Sequence, residues 1–271
     1  MDSKRRKILV PYDFTESSDF AIKHAVQFAK ITDSIITFLN VIPDLTYEAD
    51  AFKKLEIIAN EVAIKYGIQV EVKIRPGKVS KVIKAVAETL NVFIVIMKTQ
   101  KPRGKEKYFG SRALRVMAGS RIPFLVVQAP PKRLALRRVV FPIDFSKENK
   151  EKLSWISFLS KFYTSTIYLF KPNATDYTVR NNVDFAKRFL EGKNINYEII
   201  NAKGSYNITQ ETLDFANQIN AEIIIIMLSR NITFTKLMFG LKEQNYISND
   251  YNIPVLCLNP RSDLTRYESF N

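Results

Sequence analysis

The sequence is poor in the residues that build most catalytic and metal centres. A single cysteine, Cys257, excludes an internal disulfide framework and a cysteine-built zinc site, and it fits a reducing compartment. A single histidine, His24, excludes histidine-clustered metal sites and any two-histidine mechanism. No apolar run approaches the roughly 20 residues that a membrane helix needs. The basic start Met1–Lys7 is followed only by a short apolar strand, so no N-terminal signal is expected and a cytoplasmic protein is. Acidic residues are also in deficit: 27 Asp and Glu against 41 Lys and Arg leave a net charge of +14. Residues 1–130 carry +9 of it, from 22 basic and 13 acidic side chains, and the remainder carries +5. Such a balance favours anionic partners, whether phosphate ligands, acidic proteins or nucleic acid. The densest basic cluster is Lys98, Lys101, Arg103, Lys105 and Lys107.

What is present, in 271 residues of ordinary globular composition, is a repeat. Lys7–Thr15 (KILVPYDFT) matches Arg138–Ser146 (RVVFPIDFS), pairing Pro11 with Pro142 and Asp13 with Asp144. Val92–Met97 echoes Glu222–Met227, Phe109-Gly110 echoes Phe239-Gly240, and Ile122–Val127 echoes Ile253–Leu258. All four matches keep their order, at offsets of 130 or 131. The expected organisation is a first domain over 1–130, a second over 136–260, a proline-stiffened linker over 129–135 and a tail over 261–271.

Within each copy, short apolar runs alternate with longer amphipathic segments. In the first, strands are expected over 7–12, 34–41, 69–75, 91–97 and 123–128, and helices over 17–31, 47–66, 78–90 and 111–119. Ala21, Ala25, Phe28 and Ala29 share one face of the first helix, and Thr15 or Ser17 is placed to cap it. The second copy has expected strands over 138–143, 165–171, 196–201, 222–227 and 255–259. Strands rich in Ile and Val on both faces indicate a parallel sheet covered on both sides, hence a doubly wound α/β fold.

In such sheets ligands sit beyond the carboxyl ends of the strands, where strand order reverses. Asp13 follows the first strand, where a carboxylate accepts hydrogen bonds from a ribose or an adenine amino group. The same position equally suits a carboxylate favoured by the first helix's amides and dipole. Gly110-Ser111 at a helix start offers amides and a hydroxyl to an anion, or is simply a glycine turn with a serine cap. His24 falls in mid-helix without a partner that would make it catalytic. Cys257 lies inside the last strand as a buried apolar residue, and Trp155 in the second copy's first helix as core.

These features resemble the universal stress protein family. The strand-ending Val10–Thr15, the strand-ending Asn40–Pro43, the Gly110-Ser111 helix start and the terminal Ile122–Val127 carry the resemblance, once per half over nearly the whole chain. It implies five-stranded parallel sheets of order 3-2-1-4-5, and two tandem domains that form an intramolecular pseudo-dimer through their last strands, with homo-oligomers open to the whole chain. It further implies an adenine-nucleotide site, binding ATP, made by Asp13, the Val41 backbone, Gly110, Ser111 and Arg112, with Asp144 and Gly240 as second-half counterparts. The family's ATP-binding branch carries a Gly-x2-Gly-x9-Gly-Ser/Thr pattern after the fourth strand. Here Lys98 and Lys101 occupy the first two glycine positions, and the loop to Gly110 is one residue short. In the second half, Leu228 and Asn231 replace the glycines and Leu241 replaces the hydroxyl.

Glycines there allow positive φ and close approach of backbone to phosphate, which a lysine obstructs while offering a charge instead. The expectation is a non-enzymatic stress-response module with a degenerate nucleotide site in its first half. The alternatives are an ATP-binding stress protein, hydrolysing slowly at most, and a nucleic-acid-binding protein using the 98–107 loop. That loop lacks the interleaved aromatics of a stacking surface, Tyr108-Phe109 aside.

Overall fold

A computed structural model describes residues 5–99, 109–143, 149–173, 176–204, 207–228 and 242–259. The chain divides into two units, Met1–Pro131 and Lys132–Asn271. The first runs β1 (Lys7–Pro11), α1 (Glu16–Thr32), β2 (Ile35–Ile42), α2 (Glu48–Tyr66), β3 (Val70–Pro76), α3 (Val79–Thr89), β4 (Ile94–Lys98), α4 (Phe109–Met117) and β5 (Phe124–Val127). A 3-10 turn, Leu45–Tyr47, leads into α2.

Its strands stand in the order β3-β2-β1-β4-β5, and each adjacent pair is parallel. Ile8, Leu9 and Val10 of β1 and Ile94, Val95 and Ile96 of β4 have no exposed surface, because helices cover both faces. The expected α1 face of Ala21, Ala25, Phe28 and Ala29 is buried, and Ser18, Ile22 and His24 are buried with it. α1 ends on Asp33 in the left-handed region, whose amide donates to Ala29 O; α2 ends the same way on Gly67, at φ 66°.

The cap of α1 differs from expectation. Thr15 occupies the N-cap position, but its hydroxyl makes no cap bond. Its hydroxyl is engaged instead with Asp13 and Lys98. α2 buries Ala51, Leu55, Ala59 and Val62, one residue per turn against the sheet, and its opposite face is in water.

The second unit repeats the plan with β6 (Arg138–Pro142), α5 (Asn149–Ser160), β7 (Thr166–Lys171), α6 (Tyr177–Glu191), β8 (Asn196–Asn201), α7 (Ile208–Gln218), β9 (Ile223–Met227), α8 (Lys242–Ile247) and β10 (Val255–Leu258). Its order, β8-β7-β6-β9-β10, is again 3-2-1-4-5 and parallel. Trp155 is core, 5% exposed, and Cys257 is fully buried. Glu222, at the foot of β9, fixes the approach to β6. Its carboxylate accepts from the amides of Arg137 (3.1 Å) and Arg138 (2.7 Å) and from the guanidinium groups of Arg133 (3.0 Å) and Arg138 (2.9 Å).

Lys152 is a substitution the repeat did not reveal. It stands where the first copy has Ala21, yet it is 1% exposed. Its ammonium donates to Pro142 O at 2.6 Å and lies 4.3 Å from the Phe141 ring centroid. Among the described residues no helix is long and apolar enough to cross a membrane.

Candidate functional site

The carboxyl ends of β1, β2 and β4 meet where the first unit's strand order reverses. β1 ends at Pro11 and the chain turns sharply through Asp13 and Phe14. Phe14 has φ 61°, a left-handed conformation that costs a non-glycine residue about 1–2 kcal/mol. The turn aims Asp13 back over the start of α1. Its Oδ1 accepts from Ser18 Oγ (2.7 Å), Thr15 Oγ1 (2.8 Å), the Thr15 amide (3.3 Å) and Lys98 Nζ (2.8 Å). All four contacts converge on Oδ1; among the described residues Oδ2 takes none. Partial burial pushes the Asp13 carboxyl up, but the hydrogen bonds from Lys98, Ser18 and Thr15 outweigh it and hold it at about 2.

Lys98 closes the arrangement. It is the last residue of β4, and its side chain is only 14% exposed. Besides Asp13, its ammonium donates to Ser17 Oγ at 2.9 Å and to Thr15 Oγ1. An ammonium has three protons and no more. Here three acceptors take them, all from the loop and first turn after β1.

Val41 takes its place by register. The Tyr12 amide donates to Leu39 O, so the odd residues of β2 turn their backbone groups toward β1. Val41 lies two residues on, past the end of β1, with its N–H and C=O turned toward the same space. Asn40 steadies this edge by donating to Tyr12 O at 2.8 Å. Beyond it opens a cleft of about 580 Å3 lined by Phe14, Val41, Ile42, Pro43, Tyr47, Ala51 and Ile58, with Asn40, Asp50 and Lys54 as its polar lining and Ile57 at its outer rim. Tyr12 packs behind Phe14, stacked on Phe38 and edge-on to Phe14. Burial and its hydrogen bond to Asp19 push its phenol well above the ordinary range.

Of the residues singled out from the sequence, Asp13 and Lys98 are in direct contact and Val41 faces the same space. Gly110, Ser111 and Arg112 fall in the first turn of α4, and their side chains lie outside the described residues. Lys101, Arg103, Lys105, Lys107, Asp144, Asn231 and Gly240 lie outside them too. Leu228, at the second half's first glycine position, is buried, and its amide donates to Leu258 O at 2.7 Å. Sequence reasoning missed Thr15, Ser17 and Ser18 as partners of Lys98 and Asp13. The run Thr15-Glu-Ser-Ser18 carried the signal, but it read as capping chemistry alone.

The other titratable groups of interest are sequestered. His24 is 4% exposed and its Nε2 lies 3.1 Å from Ala129 O; burial pulls its pKa down to about 4 despite that hydrogen bond. Burial pushes the Cys257 thiol far up. Among the described residues no group of three or more His, Cys, Asp or Glu is arranged to hold a metal ion.

Comparison with known proteins agrees with this fold. Residues 4–128 match the model of the universal stress protein family. No curated protein matches the sequence. Among solved structures, a universal stress protein from Archaeoglobus fulgidus superposes over 95% of this chain and 97% of its own, with a TM-score of 0.77 and 20% identity. A putative universal stress protein from Pseudomonas aeruginosa covers 95% and 94%, at TM-score 0.67 and 15% identity. A functionally unknown protein from the same species covers 95% and 93%, at TM-score 0.64 and 15% identity. At these identities the likeness is one of fold.

Proposed function

From the match of residues 4–128 to the universal stress protein family we propose that the chain is a non-enzymatic regulatory module of the stress response whose first half carries a degenerate adenine-nucleotide site. One observation carries this reading: the Lys98 ammonium gives its protons to Asp13, Thr15 and Ser17. Lys98 stands where the resemblance implies the first glycine of a phosphate loop. A lysine there could compensate for the lost amide cradle only by offering its charge to a phosphate. Its hydrogen bonds are directed at the protein's own side chains instead. The site is thus filled from within, and the carboxylate expected to read the nucleoside is neutralised by the same cation. In keeping with this reading, the one histidine and the one cysteine, the commonest general base and nucleophile, are buried.

A second reading is favoured by one detail. Asp13 Oδ2 takes no bond among the described residues, the Asp13 side chain is 57% exposed, and Val41 turns its backbone groups to the same space. These could still receive an adenosine without a phosphate cradle.

Thermal melting with ATP and AMP separates the two. A ligand at 100 times its Kd adds about 2.7 kcal/mol of stability, which for a unit of this size raises Tm by roughly 5 °C or more. The degenerate-site reading expects no shift from either nucleotide at millimolar concentration. A shift from both that disappears in Asp13→Ala establishes the second reading in its place.

A further inference from the structure

The outer face of α2 is its own electrostatic complement. Ile57 is 60% exposed and Ile64 85% exposed, two turns apart on the face opposite the buried Ala51, Leu55, Ala59 and Val62. Along one flank of that apolar stripe run Asp50, Lys54, Glu61 and Lys65, all exposed. At 100° per residue these four fall within about 60° of arc, so they form a single row, about 22 Å long at 1.5 Å per residue. In chain order the row reads minus, plus, minus, plus. Read backwards it is plus, minus, plus, minus, so every position meets its opposite.

Two antiparallel helices related by a two-fold axis present the same flank to one another. An axis passing between positions 57 and 58 sets Asp50 against Lys65 and Lys54 against Glu61, each pair occurring twice. The same axis brings Ile57 against its own mate, which covers the apolar centre of the face. The i, i+4 spacing of Asp50–Lys54 and Glu61–Lys65 also suits pairing within one helix, and because the row is complementary to its own reversal a second copy of α2 can satisfy the same four charges. We propose that α2 is the contact face of a homodimer, and that its occupant is a second copy of this chain docked antiparallel across Ile57.

One helix pair buries little surface, so the dimer belongs at the weak end of specific interfaces. Sedimentation of the full chain from low to several hundred micromolar tests it. The expected result is a reversible monomer–dimer equilibrium that Ile57→Asp abolishes and Lys54→Glu weakens by roughly tenfold or more, as like charges come to face each other. Lys54→Glu combined with Glu61→Lys restores it, because the exchanged row (minus, minus, plus, plus) is again complementary to its reversal. All these positions are exposed, so the variants should melt like the parent as monomers. A chain that stays monomeric throughout overturns the proposal. So does a dimer indifferent to Ile57→Asp, or one that the double exchange fails to rescue.

Discussion

His24 offers a perturbation whose size can be worked from the structure. It is the only histidine, it is 4% exposed on α1, and its ring donates from Nε2 to Ala129 O. Burial lowers its pKa from 6.5 to about 4. The unfolded chain therefore binds a proton below about pH 6.5 that the folded chain refuses until about pH 4. Where the unfolded state holds more protons, stability rises with pH. Its contribution is complete above pH 6.5, declines by up to ~1.4 kcal/mol per pH unit, and has fallen by about 3 kcal/mol at pH 4.

The test compares wild type with His24→Gln, which can keep a donor near Ala129 O but does not titrate. At pH 7 the variant is the less stable, through altered packing. As pH falls to 4, the wild-type advantage should shrink by about 3 kcal/mol, read from urea unfolding followed by circular dichroism. The imidazole carbon-bound proton, unique in the spectrum, gives the titration directly by NMR. A difference that stays constant with pH, or an NMR midpoint near 6.5, refutes the argument that this ring is sealed from water.

Other outcomes follow from the same geometry. Lys98→Ala removes the strongest of the bonds that lower Asp13, so the Asp13 carboxyl should rise from about 2 toward 3.8, as followed by carboxyl carbon NMR. Because the folded value is depressed, the stability tied to Asp13 in the wild type is present above pH 3.8 and is lost as pH falls toward 2. Glu222→Ala strands the Arg137 and Arg138 amides and the guanidinium of Arg138, and should cost about 3–5 kcal/mol in unfolding free energy. Cys257 should react with a thiol reagent only at the rate of unfolding, since its sulfur is buried and its thiol strongly disfavours ionisation.

How legible these features were in the sequence varies with the kind of interaction. The strands were legible because β1, β4 and β9 are short runs apolar on both faces, the pattern of a doubly covered parallel sheet, bounded by turn residues and alternating with longer amphipathic segments. The boundaries of α1 and α2 came within a residue or two, since their buried faces repeat every turn. The family's nucleotide positions were legible as a motif with holes in it. The fate of Lys98 was not, because whether an ammonium turns to solvent, to a phosphate or to Asp13 depends on the turn at Phe14. A left-handed phenylalanine has no sequence signature. Lys152 was illegible for a related reason: its register in the repeat places it at a buried position, but burial of an ammonium needs Pro142 O and the Phe141 ring, contacts that only the folded α5 and β6 supply.

That lysine also bears on the history of the two halves. Ala21 and Lys152 are equivalent positions, but one puts a methyl between helix and sheet and the other a four-carbon stem with a charged tip. A recombination event exchanging helices between the repeats would leave either a hole under one helix or a stranded ammonium under the other. Copying either helix over the other therefore carries a stability cost in both directions unless the residues beneath it change as well.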